Sequence, residues 1–331
     1  MNLQRTAGNL GKNRLKFISG TAAGVVAVLL AACVSAPDIR AQQQKCDRAG
    51  LGKVLDGYLS AVFHHQPEEA RLAASYRSTE NAVVTPAGDG IWKTATGFGE
   101  LQRRYFDTTT GQAAYFGLLR EGEATDIVSL RLKVDSKRKV SEAEWTIARK
   151  AYGGLFDPQG LVSSPPPDHA LPASERVPRA TLIATANAYF DGLQEHDGSK
   201  VPTIEGCDRV ENGIRVTHRV MPIPGSAPGP AGPNAQGAPT AAQGIHFGDC
   251  NSGFENFAKS ISETSHRRFL FADEDYGLVI GMSIFHRPPE ATMKRNLLTE
   301  YIFEKNGKLA YIGAAMYFLD PSAPDDPGWP E

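Results

Sequence analysis

Arg209, Glu211, Asn212 and His218 place a guanidinium, a carboxylate, an amide and an imidazole within ten residues. A carboxylate held in an apolar cavity is driven toward a neutral pKa and can then move protons. Glu211 is the candidate base, with Arg209 or Asn212 orienting a substrate. The competing reading is structural, because the pair recurs as Glu80-Asn81. His218 can shuttle a proton near neutral pH. Its counterpart by the same offset is Ala87, so it belongs to one copy only; a solvated loop histidine is the alternative. Arg267 and Arg268 precede a strand-like run, and alternation turns one of them inward. An inward Arg267 would bind a carboxylate or phenolate, or a developing oxyanion; an ion pair with Asp273 or Glu274 is the plainer reading. In the run Asn296–Glu304, Tyr301 shares a face with Leu297, Thr299 and Phe303, opposite Glu300. That face reads as a cavity wall from which Tyr301 reaches a substrate oxygen. Tyr189 carries the same role on a helix, and both could equally be packed tyrosines. His218, Glu211 and Tyr301 thus form the candidate catalytic set. Tyr189, Arg209, Asn212 and Arg267 form the candidate substrate contacts.

Repeated elements must position these groups. Leu51, Leu55, Tyr58, Leu59 and Val62 recur at helical steps, as do Leu182, Ala186, Tyr189, Phe190 and Leu193. Tyr58 and Glu80 precede Tyr189 and Glu211 by the same 131 residues, which points to tandem duplication. Pro67 predicts a further helical turn continuing through Leu72–Tyr76, and Leu101–Phe106 reads as a short helix. Strands are predicted at Ala114–Leu119, Ile127–Val134 and Val140–Ile147, and then at Phe269–Phe271, Leu278–His286, Asn296–Glu304 and Leu309–Leu319. Asp135–Arg138 and Asn306-Gly307 are hairpin turns. Leu309–Phe318 is apolar on both faces, as in a strand covered on each side. The first domain spans 37–160 and the second 176–331. The first reads as a degenerate copy with one strand fewer. A proline-rich linker over 161–175 is expected to lie outside any core, and Pro222–Gln243 is a low-complexity insert.

The chain has 331 residues, 41% hydrophobic and 22% charged, with 35 basic and 37 acidic side chains. That balance gives no nucleic-acid footprint. Arg5, Lys12, Arg14 and Lys16 precede an uncharged run from Phe17 to Ala32, which reads as an export signal over residues 1–36. Leu30-Ala31-Ala32-Cys33 resembles a lipobox that would lipidate Cys33; Val34-Ser35-Ala36 offers ordinary cleavage instead. The expected location is the periplasm or the outer membrane as a lipoprotein, with membrane contact only through that lipid. Cys207 and Cys250 flank the insert and are the expected disulfide. The alternative, a metal site, lacks paired ligand spacing, and Cys46 is left as a free thiol. There is no P-loop, nucleotide fingerprint or G-x-S-x-G elbow, so neither cofactor nor metal is expected.

A helix followed by a strongly bent antiparallel sheet is an α+β cone. With Cys46-Asp47-Arg48, Glu80-Asn81 and Asp107-Thr108-Thr109, the chain resembles a tandem of nuclear-transport-factor-two-like (SnoaL-like) domains. The second copy adds Cys207-Asp208-Arg209-Val210-Glu211-Asn212-Gly213, Cys250, Arg267-Arg268-Phe269, Asp273-Glu274, Gly277 and Gly328-Trp329. These residues resemble more closely an uncharacterised secreted group of that superfamily, common in fungi and also found in bacteria. One departure is Gly111-Gln112-Ala113, where the group has a cysteine, which leaves Cys46 without a partner. The resemblance implies a deep pocket between helices and sheet for a small, largely apolar molecule. Members include isomerases, dehydratases, cyclases, epoxide hydrolases and lyases, some acting on lignin-derived aromatics, and others that only bind. It also implies a dimer, either between chains or between the two copies within one chain.

Overall fold

Helix α1 (Arg48–Phe63) begins where the Asp47 side chain accepts the Gly50 amide at 2.6 Å, capping the first turn. Its buried stripe is Leu51, Leu55, Tyr58, Leu59 and Val62. Helix α4 buries the matching stripe from Leu182 to Leu193; it follows two short helices, α2 (Ile91–Thr94) and α3 (Pro158–Ser163), and spans Arg179–Glu195. It stops at His196, whose backbone is left-handed at φ 57°. The computed structural model describes residues 47–222, 244–289, 291 and 293–329. The expected export signal over residues 1–36, Cys33, Cys46 and nearly all of the Pro222–Gln243 insert lie outside the described residues. Among the described residues no helix is long and apolar enough to cross a membrane.

Strands β1 (Leu72–Glu80), β2 (Val83–Val84), β3 (Ala95–Asp107), β4 (Gln112–Glu121), β5 (Ala124–Val134) and β6 (Val140–Ala148) form one sheet in the order β2-β1-β6-β5-β4-β3. Strands β7 (Thr203–Glu211) and β8 (Ile214–Arg215) join β11 (Glu263–Asp273), β12 (Leu278–His286), β13 (Arg295–Lys305) and β14 (Lys308–Phe318) in a second sheet. Its order is β8-β7-β14-β13-β12-β11, the same path through space. A two-strand ribbon, β9 (Arg219–Pro222) with β10 (Gly244–Phe247), stands at the root of the insert. The architecture is therefore α+β with two six-stranded sheets. The expected missing strand in the first copy is corrected: both sheets have six.

That expectation failed because two segments were read as helical. Pro67 supports only a three-residue 3₁₀ turn, since Ala70 is already extended, and Leu72–Tyr76 then runs within β1. Leu101–Phe106 lies inside β3, where Gln102–Phe106 pair with β4 beyond a bulge that takes in Leu101. The sheets are also mixed rather than purely antiparallel: β1 lies parallel to β6, and β7 parallel to β14. The chain runs through β2–β5 between β1 and β6, and through β8–β13 between β7 and β14, before these parallel strands pair. The β13–β14 hairpin turns at Asn306 and Gly307, both left-handed at φ 52° and 70°, as the two-residue turn requires.

Helix α1 packs on one face of the first sheet with Tyr115, Leu130, Trp145 and Ile147. Helix α4 packs on the second with Val279, Leu298, Ile302 and Ile312. The opposite faces of the two sheets share a core built from Tyr105, Phe116, Ile127, Ile280, Tyr301 and Phe303. Thr146 and Thr299 hydroxyls meet there at 2.7 Å, and Glu144 is held between Arg131 and Arg268. The layers run helix, sheet, sheet, helix, which explains why β14 is apolar on both faces. The linker departs from expectation. Leu161 and Pro166 are buried, and the carbonyls of Ser164, Pro166 and Pro167 accept from Tyr311, Arg103 and Tyr105 at 2.9, 2.9 and 2.7 Å. Proline removes donors but keeps its carbonyl acceptor, so the segment seals the sheet edges.

Glu304 is an anomaly in this packing. Its equivalent in the first sheet, by strand register, is Val134. Glu304 is 1% exposed, neither carboxyl oxygen has a well-formed hydrogen bond among the described residues, the nearby Thr185 hydroxyl donating to the Gly307 carbonyl instead, and burial, only weakly opposed by Thr185, pushes the group up to about 9. A raised carboxyl favours folding fully below the unfolded value near 4.5, and that contribution fades as pH rises toward about 9. Glu304→Gln is therefore expected to match the wild type near pH 4 and to exceed it by about 2 kcal/mol at pH 8. Urea denaturation across that range checks it; equal differences at both ends would remove Glu304 as the cause.

Candidate functional site

The helix-facing side of the second sheet holds a cavity of about 290 Å³, lined in part by Tyr189, Arg209, Glu211, Arg287, Asn296 and Leu298. Three of the sequence-predicted residues, Tyr189, Arg209 and Glu211, meet here. Arg209 and Glu211 alternate on β7 toward α4, and Tyr189 reaches down from the helix. The Arg209 guanidinium lies 3.2 Å from a Glu211 carboxylate oxygen and 5.9 Å above the Phe254 ring. Burial opposes its charge, but Tyr189, Glu211 and Glu300 outweigh that and hold it in the cationic form.

Glu300 stands behind this wall with no exposed surface. The Tyr189 hydroxyl donates to one of its oxygens at 3.4 Å, and the other has no partner among the described residues. Burial, aided by the charge of Glu211 and opposed by Arg209, pushes Glu300 up to about 8. It is therefore largely protonated at neutral pH, while burial keeps Tyr189 a hydroxyl. At the mouth, Arg287 donates to the Ser260 carbonyl at 3.2 Å and the Asn296 amide oxygen at 3.0 Å. Two carboxyl groups in one cluster, one facing a cavity and one buried, can differ in protonation.

The first copy shows how this space arose. Trp145 and Leu130 occupy the register positions of Ala314 and Glu300. Trp145 and Trp92 fill the space around Tyr58, whose hydroxyl bonds Tyr76 at 2.8 Å. Glu80 accepts from the Ile91 amide and Arg149, at 2.7 and 2.9 Å. The smaller residue at Ala314 leaves volume, and Glu300 puts a carboxyl beside it.

Four sequence-predicted residues lie elsewhere. Asn212 is left-handed at φ 43°, and its amide clips Met316 through two bonds of 3.0 and 2.8 Å. Asn81 clips Ile147 identically at 3.1 and 2.8 Å, so the repeated asparagine fixes where β1 and β7 end. His218 is turned away by the return of the chain along β7. Its ring nitrogen sits 3.2 Å from the Cys207 carbonyl and 3.4 Å from Asp249, outside the cavity. Tyr301 points between the sheets: its hydroxyl donates to the Tyr115 carbonyl at 3.0 Å, and its ring stacks on Phe116 at 4.6 Å. The alternation with Glu300 was read correctly, but the cavity is on the Glu300 side. Arg267 is tied to α4 by Asp191 at 2.5 Å, and Arg268 to Glu144, in place of the expected pairs with Asp273 or Glu274. Sequence reasoning passed over Arg287 and Asn296 and gave Glu300 no role. A glutamate centred in the apolar run Leu297–Phe303 was the available signal for Glu300.

Cys207 and Cys250 form a disulfide with Cα atoms 5.3 Å apart, closing the loop that carries the insert. With a sequence separation of 43, the double alanine variant is expected to lose about 2–4 kcal/mol, read by urea denaturation. A loss below about 0.5 kcal/mol would show that the ribbon is held without it.

A family model described as Domain of unknown function (DUF8021) matches residues 175–316, the stretch that supplies most of the cavity wall. No curated protein matches the chain.

Proposed function

We propose that the second copy is a SnoaL-like cone whose cavity carries out cofactor-independent acid–base chemistry on a small, largely apolar molecule, as a lyase, dehydratase or isomerase. The observation that carries this reading is one cluster on a cavity wall: Glu211 beside Arg209, and Tyr189 hydrogen-bonded to the buried, proton-bearing Glu300. Glu211 accepts a proton from a substrate carbon, and the Arg209 and Arg287 guanidiniums stabilise the oxyanion that develops. With substrate bound, the Tyr189 hydroxyl donates to the same oxygen, and the protonated Glu300 donates in turn to the Tyr189 oxygen from behind. Glu211 then returns its proton, either to another carbon or to a departing hydroxyl that leaves as water. The first copy, its cavity occupied by two tryptophans, is the supporting one. The basic and apolar leader fits an exported protein, anchored by lipid at Cys33 or released; the mass of the mature N-terminus tells these apart.

A second reading is a binding module that holds its ligand without converting it. The 3.2 Å Arg209–Glu211 pair favours it, because a guanidinium neutralises the carboxylate that would act as base. Incubation with lignin-derived aromatic and alicyclic compounds, followed by mass spectrometry and solvent-deuterium exchange, decides between them. Conversion or exchange supports the enzyme; retention of unchanged ligand alone supports the binding module.

A further inference from the structure

We propose that the cavity takes a small organic monoanion whose carboxylate docks on Arg287, which rests on reading this cavity as the ligand site. Arg287 lines the cavity, yet its hydrogen-bond partners among the described residues are neutral, the Ser260 carbonyl and the Asn296 amide oxygen, with the Phe318 ring at 5.5 Å; the charge that acts on it is that of Glu211, which already pairs with Arg209 at 3.2 Å. Of the five N–H groups on a guanidinium, two are engaged, and Nε has no partner although solvent is kept from it. Three other arginines of the second sheet are matched to carboxylates: Arg209 with Glu211, Arg267 with Asp191 and Arg268 with Glu144. A half-buried cation that shares its one acting carboxylate with a second arginine, and is hydrogen-bonded to no anion, is costly unless something else supplies the charge.

Charge bookkeeping selects the ligand class. Arg209 and Arg287 are cations, Glu211 is an anion, and Glu300 carries its proton, so the cluster holds one net positive charge. A monoanion neutralises it; a phosphate dianion overshoots. A planar carboxylate also matches a guanidinium, accepting from the Nη hydrogens that Ser260 and Asn296 leave free. Leu155, Leu193, Phe285 and Leu298 complete the wall and receive an apolar body. The volume is at the low end for small-ligand clefts, roughly 300–1,000 Å³.

Calorimetric titration of the intact chain tests this with benzoate, phenylacetate and cyclohexanecarboxylate, each beside its neutral amide, and with inorganic phosphate. Carboxylates are expected to bind at least about tenfold more tightly than their amides. Arg287→Gln is expected to erase that preference and Arg287→Lys to retain part of it, with melting curves confirming that both fold. Amides binding as well as acids, phosphate binding better than every carboxylate, a preference unchanged in Arg287→Gln, or no carboxylate binding would each overturn the proposal. Should the variants not fold, the acid–amide comparison on the wild type decides. Conversion of a neutral compound, with no preference for acids, refutes this inference alone. A carboxylate held through Arg287 and never converted refutes the catalytic reading alone.

Discussion

Glu211→Gln is expected to slow turnover of any converted compound by about 10²–10⁴-fold while changing its affinity by only a few-fold. The amide keeps the shape and can still accept from Arg209, but it cannot take a proton from carbon. Glu300 acts differently, through Tyr189. As pH rises past about 8, Glu300 loses its proton and places a second negative charge beside Glu211. Wild-type activity is therefore expected to fall on the alkaline side near that pH. Glu300→Gln cannot ionise, so this alkaline limb should disappear while turnover below pH 7 stays within about tenfold. Full activity in Glu211→Gln would remove it as the base. An alkaline limb that persists in Glu300→Gln would assign the titration to another group.

Tyr301→Ala is expected to cost about 3–5 kcal/mol of folding stability, with carboxylate affinity in the cavity unchanged. The ring is fully buried between the sheets, stacked on Phe116 at 4.6 Å and 5.8 Å from Tyr105. Its hydroxyl bonds the Tyr115 carbonyl and Ser129, each at 3.0 Å. Alanine deletes the ring and leaves a void between two rigid layers. Tyr301→Phe keeps the ring and loses the two bonds, at about 1–2 kcal/mol. Denaturation by urea gives both values. A small loss for alanine, with cavity affinity abolished, would return Tyr301 to the ligand site.

Much of the architecture was present in the residue order. Apolar stripes repeating every three or four residues define α1 and α4, because a helix on a sheet must bury one face. The 131-residue offset between Tyr58–Glu80 and Tyr189–Glu211 runs alongside two six-stranded sheets with matching strand orders. Asn306-Gly307 defines its turn through backbone conformations that few other residues adopt. The structural reading of the repeated Glu-Asn pair was half right: Asn212 and Asn81 clip backbone, whereas Glu211 faces the cavity.

Tertiary structure decided the rest. Leu72–Tyr76 and Leu101–Phe106 carry helix-compatible patterns, and pairing with β6 and β4 overrode them. Alternation separated Glu300 from Tyr301, but it cannot say which face meets a helix and which meets a second sheet when both are covered. Nor could it show that Ala314 empties the space Trp145 fills. Local sequence sets which side chains share a face. The cavity depends on what the opposite layer brings to that face: α4 brings Tyr189 over the side of the second sheet where β7, β13 and the end of β12 gather Arg209, Glu211, Asn296, Glu300 and Arg287.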